Sequence, residues 1–254
     1  MRLLVCVKRV PAPGAKITLT PDGSEVDTTH LGFTVSPHEE CAVEEAVRLV
    51  AAHGGSSTVL TLGPLAAEDQ LRNAIAMGID HGTLLPMEGP EWDARAVAGA
   101  IVDAVRVLEE DDGRFDLMLF GNESADAGNH QVAVRVAHAL GRPVVDGVKG
   151  IEVTDGEVAL RRAVADGHTV HHLPLPAVAA VKEGLNLPRY PAMRGRLMAK
   201  KATIRHVEPR HREGGLRRLR LRAPEQQRTE TTVLGTGAAA APAVADILEE
   251  VGLL

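Results

Sequence analysis

Aromatic residues are nearly missing from this chain: three Phe, one Tyr and one Trp, 2% of 254 residues. Its core must therefore be assembled from Ala, Val, Leu and Ile. Apolar residues as a whole reach 44%, which excludes a disordered chain and suffices for one large or two small domains. Long apolar runs are absent as well. None approaches the roughly eighteen residues of a membrane span, so no membrane insertion is expected. The opening MRLLVCVKRV is too short, and too soon basic again, for a signal peptide, and it reads as a first strand. Only two cysteines occur, Cys6 and Cys41. Neither has metal or redox spacing, and they point to reduced thiols in a cytoplasmic protein. Three chemical signatures are also missing: G-x-G-x-x-G, the Walker lysine and the G-x-S-x-G elbow. A dinucleotide fingerprint, a P-loop ATPase and a serine hydrolase of that type are thereby unsupported.

Charge is present but unevenly placed. Between Arg189 and Arg222 stand twelve Lys/Arg against two acids, Glu208 and Glu213, in a chain whose net charge is −6. A basic segment on an acidic body is one mark of nucleic-acid binding. Here the stacking aromatics that would read bases reduce to Tyr190, so a charged face docking another protein is the better expectation.

Strand and helix patterns alternate from residue 1 to about 145. RLLVCVK (2–8) is a buried strand, and KITLTPDGSEV a small hairpin around Asp22-Gly23. The next helix has a clear start, with Ser36 as N-cap, Pro37 at the first helical position and Glu39 three residues after the cap. Its apolar face is Ala42, Val43, Ala46, Val47 and Val50, and Gly54 stops it. STVLTLG, HGTLLPM and FDLMLF read as further strands. AEDQLRNAIAMG, DARAVAGAIVDAVRVLEE and a segment from about His130 to Leu140 read as helices. This alternation predicts an α/β fold: a doubly wound, mostly parallel sheet with helices on both faces. Ligands of such sheets sit beyond the strands' carboxyl ends, here the loops at Lys8–Val10, Leu62–Pro64 and Gly121–Asn129. After 145 the texture changes to a hairpin turning at Asp155-Gly156, then a buried strand LPAVAAV, then an extended, Pro-containing basic stretch. A Gly/Ala/Pro linker leads to a last helix striped by Val244, Ile247, Leu248 and Val251.

Among the polar clusters, Ser124, Asp126 and His130 are too close in sequence for a triad, whose members come from distant segments. HTVHH (His168, His171, His172) reads as strand, which sends His168 and His171 to opposite faces and favours solvent over zinc. Glu44 and Glu45 read as a solvated pair on the polar side of their helix. A nucleotide cradle suits GNESADAGNHQV best: Gly121 and Gly128 permit close backbone approach, and the next helix offers unpaired N–H groups to an anion.

Five stretches in register resemble the electron transfer flavoprotein β-subunits, the ETF β / FixA family: VCVKRVP, SPHEECAVEEAVRL, LTLGP with RNAIAMGID, GNESADAGNHQV, and LNLPRYPAMRGRLMAKK. The last is the most specific, and the likeness covers about residues 1–207. It implies an adenine-nucleotide-hydrolase-like domain over 1–207 and a C-terminal arm, linker and helix over 208–254 contacting the partner subunit. It further implies an electron carrier and not an enzyme, paired with an ETF α-subunit. FAD would be shared with that subunit, and AMP held structurally here. By motif, AMP would contact Cys6, Ser36, Pro37, His38, Glu39 and Leu62. The loop Gly121, Asn122, Glu123, Ser124, Ala125, Asp126, Ala127, Gly128, Asn129, His130, Gln131 and Val132 would complete the site. The family's recognition loop would be Arg189, Tyr190, Pro191, Ala192, Met193, Arg194, Gly195, Arg196, Leu197 and Met198, with Met193 anchored in an acyl-CoA or other dehydrogenase. Electrons would pass on to an acceptor such as a quinone oxidoreductase. The chain departs from the pattern at Ser36, where the family often has Asn, at Ala133 in place of Gly, and at Ala163 and Ala165 in place of acids. A bifurcating relative with a second FAD in the AMP position, or a stand-alone ATP-binding domain, are the alternatives.

Overall fold

A computed structural model describes residues 1–213, 215–224 and 232–254, in two compact units, Met1–Leu221 and Arg222–Leu254. The first unit holds strands β1 (Arg2–Cys6), β2 (Val10–Pro11), β3 (Phe33–Thr34), β4 (Ser56–Gly63), β5 (His81–Pro86), β6 (Leu117–Gly121), β7 (Val144–Thr154), β8 (Glu157–Val164), β9 (Gly167–Pro174), β10 (Ala177–Val181) and β11 (Ile204–His206). Its helices are α1 (Pro37–His53), α2 (Glu68–Met77), α3 (Ala94–Asp112), α4 (Val132–Leu140) and α5 (Met193–Lys201). The second unit carries α6 (Ala241–Glu250), on which Val244 and Ile247 are exposed.

Nine strands form one sheet in the order β11-β5-β4-β1-β6-β10-β7-β8-β9, parallel except at β7–β8 and β8–β9. The alternation of side chains along a strand explains how so few aromatics fill two cores. In β1, Leu3 and Val5 face the layer of α1 and α2, with Leu71, Leu117 and Leu119. Leu4 and Cys6 face the layer of α3 and α4, with Ile101, Phe120 and Val136. From β1 the chain runs outward through β4 and β5, then returns to place β6 on the other side of β1. The switch of strand order therefore falls at β1 and β6, and a crevice opens between the loops that leave them.

The start of α1 is as its residues dictate. Ser36 Oγ accepts from Glu39 N at 3.3 Å, and Glu39 Oε2 accepts from Ser36 N at 2.9 Å, with Pro37 in the first turn. Gly54 and Gly141 end α1 and α4 with positive φ. The stretch expected to be extended after Val181 differs. Residues 193–201 form α5, because Met, Arg, Leu, Ala and Lys are good helix formers and the prolines stop short of it at 191. Gly195 inside that helix serves contact: a Cβ there would sit 2.4 Å from the Ala76 carbonyl oxygen. Strand β11, beside β5, was not anticipated from the sequence; with three residues its pattern carries no periodicity.

Candidate functional site

At the carboxyl ends of β1, β4, β5 and β6 lies a cavity of about 220 Å³. Its apolar wall includes Leu60, Leu62, Val97, Ile101 and Phe120, with Trp92 and Met87 from the loop between β5 and α3. Trp92 is held edge-on by His211, with ring centroids 4.7 Å apart. The polar wall comprises Lys8, Arg9, Glu39, Glu91, Glu123, Ser124, Asp126 and Asn129. Val132 opens α4, whose first turn has no side-chain cap, so its N–H groups face the loop unsatisfied by the helix itself.

Two residues organise the mouth. Glu39 Oε1 accepts from Lys8 N at 2.8 Å while its other oxygen accepts from Ser36 N, tying the end of β1 to the start of α1. Burial pushes its carboxyl up to about 7, against the opposing pull of those two backbone donors. Gly121 is required beside it, since a Cβ would come within 2.8 Å of Glu39 Cγ. Lys8 Nζ bonds both Glu91 and Asp126, the latter at 2.8 Å, bridging the loops after β5 and β6. Burial works to lower this ammonium, but Glu91 and Asp126 outweigh it and hold it above its ordinary value. Cys6, also in the wall, is buried, and that burial, with Glu39 nearby, raises its thiol far from ionisation. Such a thiol is not a nucleophile at neutral pH.

Of the residues expected at the nucleotide, Cys6, Glu39, Leu62, Gly121, Glu123, Ser124, Asp126, Asn129 and Val132 converge on this cavity. Ser36, Pro37, His38, Asn122, Ala125, Ala127, Gly128, His130 and Gln131 are not in its wall. Of these, His130 Nε2 lies 2.6 Å from Glu123 of the wall, His38 Nδ1 accepts from Glu183 N at 2.9 Å, Asn122 Oδ1 accepts from Gly147 N, and Ala127 and Gln131 line a neighbouring cavity. The loop carrying Met87, Glu91 and Trp92 was missed. Its lone tryptophan, at the end of a buried strand, was the available signal. A second cavity of about 580 Å³ shares Glu91, Trp92, Ala94 and Asn129 with the first.

The segment from Asn186 to Arg189 is pinned to α1. Arg189 binds Glu44 through Nε and Nη2, at 2.7 and 2.8 Å, and Asn186 Nδ2 donates to Glu45 at 2.8 Å. Glu44 and Glu45 are thus buried beneath this segment, and the reading of them as a solvated pair is corrected. Burial works against the Glu44 carboxylate, but the Arg189 hydrogen bonds hold it below its usual range. Residues 189–192 lead into α5 and 193–198 lie on it, so the expected loop is largely a helix face. Tyr190 is 94% exposed and Met193 71%. The basic segment is partly neutralised within the chain, through Arg205–Asp111, Arg212–Asp103 and Arg218–Glu91. His168, His171 and His172 are exposed on β9, and no metal-binding cluster exists among the described residues. No helix among them is long and apolar enough to cross a membrane.

These features define a doubly wound α/β protein with its cavity at the sheet's switch point. Residues 25–211 match the family model of the electron transfer flavoprotein domain, and the chain belongs to the electron transfer flavoprotein family. It is 31% identical over 210 residues to the electron transfer flavoprotein subunit beta of Bacillus subtilis, covering 82% of this chain and 79% of that one. Identity to the subunit of the same name from Syntrophomonas wolfei is 34% over 206 residues, covering 80% and 78%. A further relative is the acryloyl-CoA reductase electron transfer subunit gamma of Anaerotignum propionicum, 30% identical over 197 residues, 77% of this chain and 73% of that one.

Proposed function

We propose that this chain is the β-subunit of a heterodimeric electron transfer flavoprotein, a cytoplasmic carrier between dehydrogenases and an acceptor such as a quinone oxidoreductase, with AMP bound in the cavity. The observation that carries the reading is the convergence of the β1, β4 and β6 loops on that cavity. Its residues fit an adenine mononucleotide. The walls of Leu60, Leu62, Ile101, Phe120 and Trp92 suit a purine ring, and the uncapped start of α4 suits a phosphate. Gly121 makes room for the Glu39 side chain in the cavity wall, and Lys8 stays cationic beside the loop.

FAD, shared with the α-subunit, supplies the redox chemistry. The side chains here bind and orient. Lys8 locks the loops after β1, β5 and β6 together, Glu39 ties the end of β1 to α1, and the Arg189–Glu44 pair fixes the lead into α5 for docking. Met193, exposed and flexible, anchors the partner dehydrogenase. A dinucleotide in place of AMP, as in a bifurcating subunit, is the second reading. The adjoining 580 Å³ cavity favours it, since a larger ligand could continue past Trp92.

Co-expression with the partner subunit, followed by an absorption spectrum and chromatography of nucleotides released on denaturation, tests this. One FAD and one AMP per heterodimer are expected. Two flavins select the second reading, and a flavin-free chain that turns over ATP overturns both. Met193→Ala is expected to slow electron transfer from the dehydrogenase with flavin content unchanged; flavin loss would make that residue structural.

A further inference from the structure

Arg9 also lines a third cavity, of about 650 Å³, between α2, α5 and the Phe33 strand. Three cations face it, Arg9, Arg196 and Lys200, against one carboxylate, Asp69. Its fourth cation, Arg72, is already engaged. It pairs with Glu68 at 2.9 Å and donates to the carbonyls of Ala199 and Ala202. The Arg9 guanidinium lies 3.3 Å from the centroid of the Phe33 ring, feels the charge of Asp69, and forms no ion pair among the described residues. Arg196 and Lys200 form no ion pair among the described residues.

Gln70 also lines the cleft. Gln70 is 4% exposed, and its Oε1 has no hydrogen-bond partner among the described residues. That enclosed oxygen is an acceptor and has no role toward an anion; toward an anion the carboxamide presents its N–H donors. The wall is also set in advance. The close approach of Gly195 to the Ala76 carbonyl and the Arg72 bonds hold α5 on α2, so the cations are positioned before anything arrives.

We propose that this cleft binds a multiply charged phosphate-class anion, a phosphate monoester or diphosphate, with Arg9, Arg196 and Lys200 supplying charge and Gln70 a directed hydrogen bond. Three cations against one acid call for at least two negative charges, and planar guanidinium groups match phosphate oxygens. The inference goes beyond the carrier reading and does not rest on it, because it concerns a different cavity.

The experiment is calorimetric titration of the purified complex with inorganic pyrophosphate at about 0.15 M salt, where diffuse surface attraction is screened. It is run with and without AMP. One site that persists in saturating AMP is expected. Arg196→Gln/Lys200→Gln is expected to weaken it by about ten- to hundredfold. Arg194→Gln removes an exposed cation on the same helix but outside the cleft wall, and is expected to leave the site intact. Gln70→Leu is expected to weaken binding with no fall in the thermal midpoint, since it removes a buried polar group that lacks a partner. No pyrophosphate binding, binding that AMP abolishes, binding unchanged in the double variant, or equal loss in Arg194→Gln would each overturn the proposal. Absence of AMP from the purified complex would instead overturn the reading of the first cavity and leave this result standing.

Discussion

The sheet has two halves that obey different rules. From β4 to β10 the strands are parallel and covered by helices on both faces; Leu3, Leu4, Val5, Leu117, Met118 and Leu119 are all inaccessible. From β8 to β9 the strands are antiparallel, and all but Leu173 of β9 is exposed. Parallel strands need crossover helices, and those helices bury them. The hairpin needs only the turn at Gly156, whose residues Asp155 and Gly156 are exposed. The cavity belongs to the covered half, because only there do loops from neighbouring strands end together above a buried floor.

The contrast is sharpest for truncation of the floor. Leu119→Ala is expected to cost about 2–5 kcal/mol in denaturant unfolding. A cost near zero would mean that β6 is not a core strand. The next effect is one of pH. The Glu39 carboxyl is raised from 4.5 to about 7 in the folded chain, so the folded state favours its neutral form. Its contribution to stability is therefore greatest below pH 4.5, falls as pH rises toward 7, and is lost above that. Against Glu39→Gln, which does not titrate, wild type should lose relative stability across this window, by no more than about 1.4 kcal/mol per pH unit. A parallel pair of stability–pH curves would refute the shift. Ser36→Ala removes one arm of the capping box and is expected to cost about 1 kcal/mol, read from the same unfolding midpoint. In the hairpin, Val170→Thr should stay within about 0.5 kcal/mol, because that side chain is half exposed. A loss comparable to that of Leu119→Ala would show that the hairpin is covered after all.

Legibility in the sequence followed the same division. Wherever a feature is local, its residues announce it: the Ser36–Glu39 box, the Gly54 and Gly141 stops, the Asp155-Gly156 turn. The alternation of strand and helix then pointed to the loops after β1, β4 and β6, and these meet at the cavity. Apart from α5, a local helix expected to be extended, the residues misread were those whose surroundings come from far along the chain. Glu44 and Glu45 look solvated on a helix wheel, yet Arg189 and Asn186, more than 140 residues later, cover them. The basic run looks like a face for a partner, yet part of it answers acids on α3.

The sequence alone determined most of the strands and helices, though not α5 or β11, because hydrophobic period, caps and turn glycines act over a few residues. Tertiary structure alone decided that β10 lies between β6 and β7, that Trp92 and Glu91 close the cavity beside Lys8, and that Gln70 lines one cleft with Arg9, Arg196 and Lys200. Those outcomes depend on contacts between distant residues, for which no local pattern of side chains carries a signal.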